Sequence, residues 1–531
     1  MTHWHDHLII GPILLPMAVA AAMLLIDERR RTLKASLSLA AMAAILAMAL
    51  ILLHESATGA AGGGDTARVY RLGDWAAPYG VVLVADRLST LMVALTSVLG
   101  GLALIFALAR WDRAGPRFHA LFLTLIMGVN GAFLTGDLFN LFVFFEVMLA
   151  ASYGLALHGS GEARVRAGVL YIAVNLTASL LFLIGVSLIY GVAGTLNMAD
   201  LAARVPGVAA GDLGLFHVGA AVLGTAFLIK CAMWPLGFWL TSTYSAASAP
   251  SAAAFAILSK VGVYVVIRLS LLLFGVQAGA SAGFGLTWLL VGGLATVAFG
   301  TFGLIASRDL SRAAGFGVII SSGSVLAILG VGDTSALSGA LYYLIGSTLA
   351  CAALFLLAEI LQRGREPDVG EARAVFDDEY RDPFDDDERN EPGLVIPAAV
   401  AALGGAFLIC TLMLAGLPPL AGFVGKLAMI DALVRQGGAA PWILTAVLSV
   451  SSIGALIGLT RLGVGAIWTR DDDAPALVVG AAEATALAGL LAACVLLAVF
   501  AGPALVYTDH TAAWLADPQA YVQAVLSGGG R

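Results

Sequence analysis

Gly136-Asp137-Leu138-Phe139-Asn140-Leu141-Phe142-Val143-Phe144-Phe145-Glu146 sets one carboxylate at the end of a run that is otherwise bulky and apolar. Glu146 lies nine residues past Asp137. At ~1.5 Å rise per residue, a helix starting at a membrane surface carries it roughly 13 Å inward, near the bilayer midplane. A carboxylate at that depth costs on the order of 2.5–3.5 kcal/mol on insertion scales, so its default reading is functional; the alternative is a clamp between two helices.

The rest of the chain supplies the membrane. Of 531 residues, 60% are hydrophobic and only 12% charged, far from the composition of a soluble domain. Apolar windows recur from 8–26 to 478–507, about fourteen in all, most long enough to cross ~30 Å of hydrocarbon as helices. The first window has no basic leader and reads as a retained span rather than a signal peptide. The fold class is therefore an all-α integral membrane protein, residues 1–531 forming a single membrane domain. Of the 28 Lys and Arg, most fall in alternate loops, at 27–34, 110–117, 159–166, 307–312 and 362–393. The positive-inside rule then places those loops in the cytoplasm and both termini outside.

Lys230, Lys260, Arg268 and Lys426 break this pattern, because each lies inside or at the edge of an apolar span. Pro235 follows Lys230 by five residues and removes a backbone donor at membrane depth. Such a break is tolerated only where protein or a hydrated cavity re-satisfies the freed carbonyls, which is where transporters place ion sites. Thr241, Ser242, Thr243, Ser245, Ser248 and Ser251 follow; they read equally as a wet path and as an ordinary connection with hydroxyls bonded to backbone. Arg268 is close enough to its span end to snorkel, whereas Lys260 is not. Asp86-Arg87 reads as a local surface ion pair. Pro419-Leu420-Ala421-Gly422-Phe423 echoes Pro235-Leu236-Gly237-Phe238, each beside a buried lysine, and paired interrupted spans point to an internally repeated transporter. If Glu146 and Lys230 face one another, opening and closing that pair releases and recaptures a proton. Glu146, Lys230, Lys260 and Lys426, with hydroxyls and water between them, would pass protons laterally at mid-depth.

Other chemistry is poorly supported. Cys231, Cys351, Cys410 and Cys494 sit singly in apolar spans, so no disulfide, zinc or iron–sulfur framework is expected. His3, His5 and His7 read as a frayed terminus. The acidic run Asp377 to Glu388 lacks calcium-loop spacing and reads as a solvated linker or a docking surface. Gly425-Lys426 is not a phosphate loop. No cofactor, resident metal or nucleic-acid partner is expected. No cluster of carboxylates and carbonyls able to strip water from Na+ is evident either, which predicts a proton path here and a cation path at least partly elsewhere.

Three motifs also carry a resemblance: Thr135-Gly136-Asp137 through Glu146, Lys230 to Trp234-Pro235 with its tail to Lys260-Val261-Gly262-Val263-Tyr264, and Gly416-Leu417-Pro418-Pro419-Leu420-Ala421-Gly422-Phe423 closing on Lys426. Over nearly the whole chain they resemble the antiporter-like subunits shared by respiratory complex I and Mrp-type cation/proton antiporters, and most of all the D subunit of the Mrp (Pha) antiporter. The resemblance implies about fourteen transmembrane helices with two inverted five-helix repeats containing broken helices. The expected layout is anchor helices at 1–117, a first repeat at 118–275, a second at 284–464 enclosing the acidic loop 362–393, and a C-terminal helix and tail at 478–531. It implies a bacterial inner-membrane Na+/H+ or K+/H+ antiporter, not an enzyme, whose partners are small membrane subunits, a second antiporter-like subunit and the lipid bilayer. A proton-pumping membrane-arm subunit of complex I or of a related hydrogenase is the alternative, and a pure scaffold the third. Glu146, Lys230, Lys260 and Lys426 match the family's proton-path residues. In many relatives the span at 336–361 carries a His; here any relay must run through Tyr343, Ser347, Thr348 and water, helped by Ser321, Ser322 and Ser324, with Asp137 a further candidate.

Overall fold

A computed structural model describes residues 7–59, 67–363, 397–468 and 479–526. The acidic run at 377–388 and the glycines at 62–64 lie outside them. In chain order the helices are α1 (Gly11–Leu24), α2 (Arg31–Gly59), α3 (Arg87–Ala107), α4 (Phe118–Leu134), α5 (Leu138–Ala156), α6 (Glu162–Ala193), α7 (Met198–Arg204), α8 (Leu213–Lys230), α9 (Phe238–Ala246) and α10 (Ala249–Phe274). There follow α11 (Leu286–Ala306), α12 (Leu310–Val331), α13 (Thr334–Arg363), α14 (Pro397–Ala415), α15 (Ala421–Gln436), α16 (Ala439–Gly463), α17 (Ala481–Val499), α18 (Ala501–Leu515) and α19 (Pro518–Leu526). Among the described residues, 11 helices are long and apolar enough to cross a membrane, and three shorter ones are also apolar. The fold is thus that of a multi-pass helical membrane protein, and α10, α12 and α13 are buried almost along their whole length.

Helix boundaries follow local chemistry. Asp137 starts α5 by accepting from the amides of Phe139 (2.8 Å) and Asn140 (3.0 Å), satisfying two donors that have no partner inside the helix. Asn197 caps α7 in the same way, and the two caps are tied by Leu138 N–H to Leu196 C=O and Met198 N–H to Gly136 C=O, both 2.9 Å. Strands β1 (Arg68–Arg71) and β2 (Val82–Ala85) pair antiparallel beside this knot, and Val82 C=O accepts from Gly136 N–H at 2.9 Å. Glycine lets helices close up. A Cβ on Gly293 of α11 would stand 2.5 Å from Ala327 N of α12, and one on Gly185 of α6 would stand 2.6 Å from Leu223 N of α8. Close backbone approach of this kind is the usual cohesion between helices in lipid.

Two helix crossings are broken. The first runs through α8, an irregular stretch at Cys231–Gly237, and α9; the second through α14, Gly416–Leu420, and α15. Both irregular stretches contain a cis proline peptide, Trp234-Pro235 and Pro418-Pro419. The second one needs two glycines. Gly416 has φ +71°, and a Cβ on Gly422 would fall 1.9 Å from Met413 O.

The two ends of the bundle differ. At one end Arg31 bonds Asp112, Trp111 Nε1 donates to Glu359 (2.8 and 2.9 Å), Arg363 links Glu359 to Glu483, and Arg164 lies over the Trp111 ring. Burial works against a charge on Asp112, but the His119 ring 3.7 Å away and the hydrogen-bonded Arg31 guanidinium hold its carboxyl below the ordinary aspartate value. At the other end Arg268 does not snorkel. It is buried and pairs with buried Asp86, while Tyr264, Trp514 and Tyr521 place their rings 5.2–5.6 Å from its guanidinium carbon. A surface pairing of Asp86 with Arg87 is therefore not what forms. The neighbouring charge is the wrong partner because Asp86 also caps α3 through Ser89, which turns its carboxylate into the protein. The apolar window at 478–507 likewise divides into α17 and α18 at Phe500.

Two outcomes follow from this packing. Arg268→Met strands a buried carboxylate and lowers stability by about 3–5 kcal/mol; adding Asp86→Ser, which keeps a capping oxygen without the charge, recovers part of the loss in a thermal-aggregation assay of the purified protein. Gly422→Ala forces backbone apart and reduces the folded yield severalfold by size-exclusion fluorescence, whereas Gly404→Ala, with nothing within 4 Å of the new Cβ, leaves it unchanged.

Candidate functional site

The buried amines are distributed along the interior on different supports. Lys230 is the last residue of α8, set there because the chain leaves the helix toward Pro235. Its ammonium donates to Asn175 Oδ1 of α6 at 3.3 Å and stands 5.4 Å from the centre of the Phe145 ring. Glu146, one residue on from Phe145, is half-buried, on the same side of α5 as exposed Phe139 and Val143. It accepts a hydrogen bond from Ser179 Oγ of α6. Glu146 and Lys230 therefore do not form the direct ion pair that facing one another would give. Asn175 and Ser179, one turn apart on α6, stand between them, each holding one of the two.

Lys260 lies in the middle of α10, almost fully buried. It donates to Ser322 Oγ (2.9 Å) and to Val318 O (3.3 Å) of α12. A Cβ on Gly262 would come within 3.2 Å of Lys230 Cβ and 3.0 Å of Cys231 Sγ, so α10 passes directly against the first break. From α12 the polar line continues into α13. Ser321 Oγ meets Ser347 Oγ at 2.7 Å, while Ser324 Oγ returns to Ile320 O of its own helix at 2.8 Å. Tyr343 then presents its ring to Lys426 Nζ at 5.8 Å.

Lys426 occupies the second break. Its ammonium donates to Leu414 O (3.2 Å), Ala415 O (3.2 Å) and Ser452 Oγ of α16 (2.8 Å). In an uninterrupted helix those two carbonyls would accept from residues 418 and 419, four positions on. Both are proline and have no N–H. The Pro418-Pro419 pair leaves two carbonyls without backbone donors, and the lysine amine takes them.

The remaining candidates separate. Asp137 is committed to capping α5 at the end of the bundle, and Thr348 Oγ1 returns to Leu344 O of its own helix at 2.6 Å. Ser347 and Tyr343 lie on the line. The hydroxyls of Ser242, Thr243 and Ser245 bond to backbone carbonyls of α9, although Ser242 and Ser245 also line an opening of about 600 Å3 with Glu162, Arg166 and Arg312. Asn175 and Ser179 do not stand out as site residues in the sequence; their signal there is two polar residues at i and i+4, on a helix that also carries Thr177 and Ser187. Among the described residues no cluster of His, Cys, Asp and Glu suits a metal ion, and the four cysteines are free and buried.

This arrangement can be set beside known proteins. The family described as NADH:quinone oxidoreductase/Mrp antiporter, TM, matches residues 135–454. The chain is 50% identical over 99% of its length to the D subunit of a probable K(+)/H(+) antiporter of Rhizobium meliloti, covering 99% of that protein. It is 32% identical over 98% of its length to the D subunit of the Na(+)/H(+) antiporter of Bacillus subtilis, covering 99% of it. Among solved structures, a chain of the Mrp complex from Dietzia sp. superposes over 99% of this chain and 100% of its own length, with a TM-score of 0.80 and 27% identity. A chain of respiratory complex I from Thermus thermophilus, at 21% identity, shares the fold with a TM-score of 0.74 over 97% of this chain and 100% of its own length. The chain belongs to the NADH:quinone oxidoreductase/Mrp antiporter membrane family, on the branch formed by the antiporter D subunits.

Proposed function

We propose that this chain moves protons through Glu146, Lys230, Lys260 and Lys426 as part of a multisubunit antiporter that exchanges them for Na+ or K+. One observation carries the reading. Among the described residues none of the three lysines has a carboxylate within ion-pair distance; each is held by neutral oxygens of Asn175, Ser322, Ser452 or backbone. An amine with such partners can lose its proton without leaving an orphaned buried anion, whereas a buried salt bridge would lock it in the charged form. Ser179 and Asn175 pass between Glu146 and Lys230, and the serines of α12 between Lys260 and Tyr343. The driving force is sufficient, since a charge crossing 100 mV is worth roughly 2.3 kcal/mol.

The same reading gives the setting. The two broken crossings are corresponding parts of two inverted five-helix repeats in a fold of about fourteen spans, the basic end faces the cytoplasm, and both termini lie outside. Glu146 sits beside the exposed face of α5, which favours contact with another membrane subunit. The place of action is a bacterial inner membrane, and the chain is a transporter subunit and not an enzyme. The complex I reading differs in what drives the protons, so exchange without NADH or quinone separates the two.

The test is cation-dependent proton movement in everted vesicles carrying the whole complex. Glu146→Gln and Lys230→Ala abolish exchange at equal assembled amounts; intact exchange in both returns these groups to helix packing. Asn175→Leu and Ser322→Ala, each removing one hydrogen bond to a charged group of about 1.5–3 kcal/mol, slow exchange roughly tenfold or more without changing assembly.

A further inference from the structure

We propose that the oxygen cradle around Lys426 is a binding site for a monovalent alkali cation, which alternates there with the lysine's own ammonium; this rests on the antiporter reading above. The cradle already holds a cation. Leu414 O, Ala415 O and Ser452 Oγ surround Lys426 Nζ at 3.2, 3.2 and 2.8 Å. They are neutral oxygens of the kind that replace the hydration shell of potassium in selectivity filters, and carbonyls at an interrupted helix end are where transporters hold their coupling ions. Their availability is built into the sequence, because Pro418 and Pro419 cannot donate to the carbonyls of 414 and 415. Lys260 has no such seat: Val318 O belongs to the uninterrupted α12. Lys230 has only a side-chain amide.

One further observation bears on an ion there. Thr411 Oγ1, on the same face of α14 as Leu414 and Ala415, is a buried hydroxyl with no hydrogen-bond partner. An opening of about 660 Å3 carries Asp333, Asp431 and Asp509 and reaches Ser338, Gly339 and Ala428, about one turn along α13 from Tyr343 and two residues along α15 from Lys426.

The exchange balances. The Lys426 ammonium gives its proton to water and becomes a neutral amine, a cation enters the vacated oxygens, and the net charge of the cradle stays at plus one. Binding the proton again expels the ion. On the helices packed against α15, Tyr343 of α13 faces the amine; Cys410 and Cys494 lie on α14 and α17; the carboxylates Glu359 and Glu483 stand at the far end of the bundle, both held by Arg363. Among the described residues no fixed charge nearby decides the competition for either cation.

Equilibrium binding of 86Rb+ and 22Na+ to the purified whole complex tests this across neutral to alkaline pH. In wild type, bound ion rises as pH rises. In Lys426→Ala the pH-dependent part shrinks by one ion per complex and a pH-independent part grows by one. Ser452→Ala keeps the pH dependence but weakens the site roughly tenfold, the loss of one of its ligands. Wild-type pH dependence in Lys426→Ala, or unchanged affinity in Ser452→Ala, overturns the proposal and leaves Lys426 as a plug for two free carbonyls. The relay is judged separately: loss of exchange in Glu146→Gln with no change in binding in Lys426→Ala sinks the cradle alone, and the reverse result sinks the relay alone.

Discussion

A backbone carbonyl without a donor, in a medium that offers no water, has to find a proton somewhere in the protein. Pro418 and Pro419 create two such carbonyls at the end of α14, and Lys426 answers both. The first break is solved differently: Cys231 N–H and Met233 N–H fold back onto Phe227 O and Leu228 O, and Lys230 is released to meet α6. Two interruptions of similar sequence thus leave one lysine bound to its own backbone and the other bound to a side chain. That difference sets what each amine can do.

Bridging falls to the helices beside those that carry the amines. α6 offers Asn175 to Lys230 and Ser179 to Glu146, while α12 offers Ser322 to one side and Ser321 to the other. A hydroxyl or amide on a helix of its own lets donors and acceptors change partners without moving the helix that carries the charge. Direct Lys–carboxylate contact would be stronger and slower to release.

The sequence alone revealed the membrane class, the interrupted crossings and the buried lysines, because hydropathy, proline and charge are local signals. Side-chain pairing was less legible. The partner of Glu146 lies on α6 and that of Lys260 on α12, and nothing in the spacing of either residue names the helix that will pack beside it. The same holds for Arg268: its position near a span end suggested an escape to the interface, and only the packing of α3, α18 and α19 around it encloses the charge. The acceptors of Lys426 could have been found from the proline pair four residues beyond them.

That enclosure of Arg268 has a consequence in time. Asp86 is already in place when Arg268 leaves the ribosome, but Trp514 and Tyr521 are made long afterwards, and domains and spans begin to settle as they emerge. For that interval a guanidinium in α10 has its carboxylate and only one of its three rings. The order of synthesis leaves this corner open until α18 and α19 arrive.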